Sequence, residues 1–344
     1  MLHKIPKPAR KMVPLLVCLV ILVECLPFAA FATPTNTTFN TATTLTSQVG
    51  DQLTISGLTS GQSQWFRVSV TAGQWVYPCI YGIAAGEDWD LGLYSYTNTQ
   101  ISNSAHFGNA IEYNGYTATY TGYMYFKVQA YSVAGSSSSC HFKVVVSNGT
   151  SGTSSTNSNY DRVDAKDYMD RYWDDRNPVY PDFPSGDCAN YVSQTLRYGG
   201  MAMAGDTPTR DAMTSWFCHT PYNPSEQTNG YSATWAGANQ FTTYWGTNSM
   251  GTGTKKAYEC KYYIGQHIVD DFATIKASLH VGDVIQYTHA GATDRYHTLL
   301  VYEITNNIVY LSCHSSNSIY VSLLDRAQRN PTQIFVIMRI KSGS

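Results

Sequence analysis

Gly186-Asp187-Cys188-Ala189-Asn190-Tyr191-Val192-Ser193-Gln194 decides how this chain is read. Cys188, Tyr191, Val192, Thr195 and Leu196 recur at i, i+3, i+4, i+7 and i+8, the apolar stripe of a single helix face. Pro184-Ser185-Gly186 opens that helix and Gly199-Gly200 stops it. Cys188 therefore stands in the first turn, where free main-chain N–H groups and the positive end of the helix dipole favour a thiolate over a thiol. A cysteine on an apolar stripe is equally at home in a core. The two readings separate on whether the rest of the chain supplies a base and a group to orient it.

Outward from this helix, the chain of 344 residues is long enough for two domains. Its formal net charge is −2 and no block of like charge occurs, which argues against nucleic acid as a partner. At the N-terminus His3, Lys4, Lys7, Arg10 and Lys11 precede an apolar run from Met12 to Val23, and Ala30-Phe31-Ala32 follows. A charged region, a short apolar core and a small-x-small site describe a signal peptide over residues 1–32, cleaved before Thr33. Glu24 and Pro27 interrupt the run before it is long enough to span, so the exported chain is expected not to cross a membrane. Six cysteines remain after cleavage; in an oxidising exterior Cys79–Cys140 is the first candidate pair and Cys218–Cys260 the second, the connectivity itself being left open by sequence. No C-x-x-C pair occurs, so no structural zinc site is expected, and no cofactor.

Residues 33–147 alternate short β-rich runs, such as Trp65–Val70, Tyr123–Val128 and His141–Val146, with Gly/Ser/Asn/Thr turns, the pattern of a β-sandwich. Three stretches, Gly61 to Gly73, Asp88-Trp89-Asp90-Leu91-Gly92-Leu93-Tyr94 and Thr121 to Val128, resemble the bacterial pre-peptidase C-terminal domain. The resemblance implies a jelly-roll-like accessory module of secreted hydrolases. Some relatives bind calcium, for which Asp88 and Asp90 are the candidate ligands here, although turn carboxylates are commonly just solvated. Residues 148–159 are Ser/Thr/Asn/Gly-rich and read as a flexible linker. The second domain, residues 160–344, opens with a helix carrying Ala165, Tyr168, Met169, Tyr172 and Trp173 on one face. It ends in strands at 284–287, 297–304, 308–313, 319–323 and 334–340, an α+β layout.

The late hairpin turns at Asn306-Asn307 and lays His297 across from His314 or Ser316, so that both histidines share a sheet face. Such a pair can act as a base and its orienter. Asn317, three residues beyond His314, and Asp294, in the loop before His297, are rival orienters. A metal pair would need a third ligand, which the spacing does not offer.

Asn177-Pro178-x-Tyr180, Asp187 to Gln194, Gly199-Gly200, Ser232 to Trp235, Gly282 to Tyr287, Tyr296-His297-Thr298 and Ser312-Cys313-His314, in that order, resemble the bacterial putative amidase domain family. The resemblance implies a papain-like hydrolase fold, related to the NlpC/P60 peptidases. It carries over Cys188 as nucleophile, His297 as base and His314 in the orienter's place; Ser316-Asn317 depart from the usual residues there. Tyr180 is a candidate second oxyanion donor beside the Cys188 amide. The expected protein is a secreted cysteine amidase or peptidase that cleaves amides through an acyl-thioester, with peptidoglycan-type peptides as substrate. The alternative is a non-catalytic, secreted wall-binding or adhesion protein whose Tyr and Trp side chains stack on sugars.

Overall fold

A computed structural model describes residues 34–225, 230–289, 291–292 and 294–343. The signal peptide read over residues 1–32 lies outside them. Strict alternation builds the N-terminal half: in Ser63–Val70, Phe66, Val68 and Val70 point inward while Trp65, Arg67 and Ser69 take the other face. Its longer strands are Leu53–Ser56 (β1), Ser63–Val70 (β2), Trp75–Tyr81 (β3), Asp88–Tyr94 (β4), Gln100–Ser104 (β5), Gly122–Ser132 (β6) and Ser139–Ser147 (β7). One sheet runs β2-β6-β4-β5, with Thr43–Thr44 along β2. The other runs β1-β7-β3, with Glu112–Tyr113 and Tyr116–Thr117 on the β3 edge. Phe66, Val68, Leu91 and Phe126 of the first meet Val76, Ile80, Phe142 and Val144 of the second in one buried core, a two-sheet sandwich.

The stretch read as a flexible linker is docked. Gly149–Thr150 pairs with Glu259-Cys260, and the Asn157 amide donates to the carbonyls of Lys256 (2.8 Å) and Ile340 (2.7 Å). Small polar side chains, uninformative about burial in sequence, here serve as hydrogen-bond partners for exposed main chain.

Beyond it come the helices Arg162–Tyr172 (α1), Cys188–Tyr198 (α2), Ala233–Ala236 (α3) and Ala238–Trp245 (α4). An antiparallel sheet of Glu259–Ile264 (β8), Val284–Thr288 (β9), Arg295–Thr305 (β10), Ile308–Cys313 (β11), Ser318–Ser322 (β12) and Ile334–Arg339 (β13) follows, ordered β8-β13-β9-β10-β11-β12. Three short helices, Gly265–Asp270 (α5), Phe272–Ser278 (α6) and Leu323–Arg329 (α7), are interleaved with these strands rather than preceding them. Asp161 caps α1 by accepting from the amides of Val163 and Asp164. Gly200, with φ of +96°, lies 2.9 Å from the Asn159 carbonyl at the Cβ position, so only glycine turns the chain there.

The sheet is covered on both sides. Val284, Leu300, Val336 and Met338 pack on α1–α4, while Ile285, Leu299, Val301 and Ile337 pack on α5–α7. The first of these clusters also takes in Tyr77, Cys79, Tyr81 and Val145 from the outer face of β3 and β7, so the sandwich and the second half share a core.

All six cysteines from Cys79 onward are free. The expected Cys79–Cys140 pair fails on parity: Cys140 points into the sandwich and Cys79 points out of it. Cys218 lies beside Tyr231, and Cys260 sits in β8 against Gly246. Among the described residues no cluster of three or more His, Cys, Asp or Glu side chains is placed to hold a metal ion, and none forms around Asp88 and Asp90. Nor is any described helix long and apolar enough to cross a membrane.

Candidate active site

The helix α2 starts at Cys188, where its spacing predicts. Asp187, in the cap position, does not cap the helix with its side chain. Its buried carboxylate instead accepts from His314 Nδ1, Asn190 Nδ2 (2.7 Å) and the Phe183 amide (3.3 Å), and lies 3.4 Å from Arg176 Nε. Asn190 in turn donates to the Pro181 carbonyl (2.8 Å) and accepts from Trp235 Nε1 (2.7 Å). This mesh ties the loop before Cys188 onto the helix.

His314 is 1% exposed and lies flat on the Tyr191 ring, centroids 3.9 Å apart. Tyr191 is one turn beyond Cys188 on the same helix face, so the imidazole is brought to the N-terminal turn of α2. Its second nitrogen, Nε2, meets the Tyr172 carbonyl at 2.5 Å, at the end of α1. Both contacts are to oxygen acceptors.

Cys188 is 7% exposed. Burial pushes its thiol above the usual range, against the pull of the Thr298 and Ala189 amides and the Thr298 hydroxyl, which face the sulfur. The helix tip therefore does not by itself produce the thiolate expected from sequence; desolvation wins. Thr298 is held by Gln286 Nε2, which donates to its hydroxyl (2.9 Å) and to the Ala238 carbonyl (2.9 Å) at the start of α4. A cleft of about 380 Å³, lined by Phe183, Gly186, Tyr231, Ala233, Gly237 and Gln240 among others, opens beside the residues that lead into Cys188.

His297 is not on this face. The β10–β11 pairing reads Thr305↔Ile308, Ile304↔Val309 and Glu303↔Tyr310, then slips to Val301↔Leu311 and Leu300↔Ser312. Tyr302 is the extra residue of a β-bulge, and one inserted residue inverts the facing of everything beyond it. Ser312, like His314 two residues on, faces α2, where its hydroxyl meets Tyr191 Oη at 2.6 Å. His297 instead pairs with Tyr287, whose ring belongs to the cluster under α5–α7. The expectation that His297 and His314 share a face is thus corrected, and with it the direct meeting of Cys188 and His297. Burial, with the Arg326 charge nearby, lowers the His297 pKa to about 4.

The remaining candidates are placed elsewhere. Tyr180 stacks on Trp235, centroids 5.8 Å apart, in the wall beside α2. Asn317 accepts from the Arg176 guanidinium (3.3 Å) in an exposed turn, and Asp294 accepts from Asn239 Nδ2 (3.2 Å). Neither of these two contacts is to an imidazole. Asp187 and Thr298 carry no assigned role in the sequence reading; their signal is that each adjoins a candidate, Cys188 and His297 respectively, inside a motif of the amidase resemblance.

Residues 159–338 match the family model described as "Putative amidase domain", just over half of the chain, and the protein belongs to that family. Membership points to hydrolysis of amide bonds. A short stretch of 46 residues is 46% identical to the uncharacterized protein YhbB of Bacillus subtilis (strain 168), covering 13% of this chain and 14% of that protein. Among solved structures, the chain is similar to the pre-peptidase C-terminal domain of a Bacillus anthracis collagenase, at 13% identity and a TM-score of 0.23, over 30% of this chain and 93% of that one. PliG of Aeromonas hydrophila, a periplasmic inhibitor of g-type lysozyme, is similar at 13% identity and a TM-score of 0.23, over 30% of this chain and 96% of its own.

Proposed function

We propose that the protein is an exported hydrolase that cleaves amide bonds with Cys188 as nucleophile. One observation carries this reading: Asp187, His314 and Tyr191 assemble a carboxylate-held imidazole on the helix turn that Cys188 opens, beside an open cleft. Cysteine, imidazole and carboxylate are the three groups a thiol hydrolase needs. In the arrangement described, His314 Nε2 is engaged by the Tyr172 carbonyl and the thiol is protonated, which is a resting form. Once Nε2 gives its proton to water and turns from that carbonyl towards the sulfur, the neutral imidazole accepts the thiol proton while Asp187 keeps Nδ1–H in place.

The thiolate then attacks the amide carbonyl, and the Cys188 amide at the helix tip donates to the oxyanion. The imidazolium returns its proton to the leaving amine. Water hydrolyses the thioester and regenerates the thiol. The papain-like reading of the second half belongs with this mechanism. Peptidoglycan-type peptides are the proposed substrate, and the basic and apolar leader ending in Ala30-Phe31-Ala32 supports export towards them.

Mass spectrometry of purified peptidoglycan digested with the protein and its variants tests this. Cys188→Ala is expected to abolish amide cleavage. His314→Gln is expected to lower kcat by about 10²–10⁴, the usual contribution of an acid–base group, and His297→Gln by no more than about three-fold. Activity lost in His297→Gln and retained in His314→Gln would overturn the role given to His314. Full activity in Cys188→Ala would end the reading altogether.

A further inference from the structure

We propose that Lys143, on sandwich strand β7, is a positioning residue for the Cys188–Thr298 corner, acting through the loop between β9 and β10. The proposal rests on the reading of that corner as the site. Lys143 is 1% exposed, lies on the outer face of the sandwich, and donates its ammonium to the carbonyl of Ala292 at 2.5 Å. Ala292 belongs to the loop that delivers Arg295, His297 and Thr298 into β10.

A second contact fixes the same loop. Gly291, with φ of +74°, lies so close to the sandwich that a Cβ there would sit 2.5 Å from Gln52 Oε1. Gln52 is itself held by the Tyr81 hydroxyl (2.7 Å) and by His141 Nδ1 (3.2 Å). On its far side the loop is pinned to α4: Asn239 Oδ1 accepts from the Arg295 amide at 2.7 Å, and Asn239 Nδ2 donates to Asp294. Gly291 and Ala292 are therefore set against the sandwich, and Asp294 and Arg295 against the helix that borders the cleft, Arg295 standing three residues before the threonine facing the sulfur.

A lysine is a poor choice for holding two domains together. The hydrogen-bond partner of its ammonium here is a neutral carbonyl, and the groups around it are Cys79 directly across the strand pair, the Arg295 cation on β10, and Asp51. Burial, with Arg295 adding to it, lowers the Lys143 pKa to about 8. Lys143→Met keeps the aliphatic length and packing of the side chain and removes only the ammonium and its bond to the Ala292 carbonyl.

The test is Lys143→Met in the full chain, read three ways: thermal midpoint, amide hydrogen exchange of peptides covering residues 288–299, and kcat and KM on peptidoglycan. The midpoint is expected to stay within about 2 °C of wild type or rise. Exchange in the loop is expected to quicken about ten-fold while the sandwich core stays protected. The kcat is expected to fall about ten-fold with KM little changed. Gly291→Ala, which displaces the loop from the other contact, is expected to show the same local loosening. Unchanged loop exchange in both variants overturns the proposal, as does faster exchange with unchanged kcat. A lowered midpoint with faster exchange throughout the chain makes Lys143 an ordinary structural residue and also overturns it. If the wild-type protein hydrolyses no amide, the functional reading fails, and with it the positioning role; the exchange data then report the staple alone.

Discussion

Asp187 collects donors from three segments, the Arg176–Phe183 loop, α2 and the end of β11, while its neighbour Cys188 carries the chemistry. Both members of the Asp187–His314 pair are buried, so removing the carboxylate leaves buried donors short of an acceptor. Asp187→Asn is expected to destabilise the fold by about 1–3 kcal/mol, measured by urea unfolding. A loss below about 0.5 kcal/mol would mean that this mesh contributes little to the fold. His297 makes the opposite contribution. Its pKa is about 4 in the folded chain against an ordinary 6.5, so the unfolded chain binds the extra proton between those values. Stability should therefore be unaffected by this group above pH 6.5 and fall as pH drops towards 4, by roughly 3 kcal/mol in all. His297→Gln should flatten that acid limb; an unchanged limb would contradict the burial described for the ring.

At the scale of elements, the position of Tyr302 determines which histidine meets α2. A two-residue turn at Asn306-Asn307 is legible in the sequence, and the strands flanking it are found at nearly the expected bounds. The bulge is not legible, because an inserted residue leaves no mark on an apolar run whose two faces are both buried: Leu299, Leu300 and Val301 are each at most 1% exposed. The facing of His297 is therefore not recoverable from spacing, whereas the start of α2 is, since one buried stripe and glycine stops define it. The short helices α5–α7 escaped for a related reason: six or seven residues hold too few turns to show a period. Deleting Tyr302 is expected to force one register through the hairpin and turn a run of apolar side chains to the wrong face. A destabilisation above about 4 kcal/mol is predicted, beyond ordinary substitutions, and a near-native midpoint in urea would show that the bulge does not set the facing.

For the whole molecule, the sandwich and the second half are joined by shared packing rather than by a tether. Trp75 Nε1 donates to the Tyr262 carbonyl (3.0 Å), Tyr77 Oη meets His267 Nδ1 (2.9 Å), and Tyr113 Oη donates to Asp270 (2.6 Å). Calorimetry of residues 33–344 should accordingly show one unfolding transition, with a single midpoint by far- and near-ultraviolet dichroism. Two resolved transitions would mean that the halves are stable separately. The central claim is that a buried, resting Cys188 answers to the imidazole on its own side of the sheet. It is tested most directly by the pH dependence of Cys188 alkylation by iodoacetamide, followed on its own peptide by mass spectrometry. The account predicts a rate that is slow at neutral pH and climbs only at pH values above those that ionise an ordinary cysteine thiol, shifted further upward in His314→Gln and unmoved in His297→Gln. A fast plateau already present near pH 6–7, and lost when His297 is replaced, would contradict it.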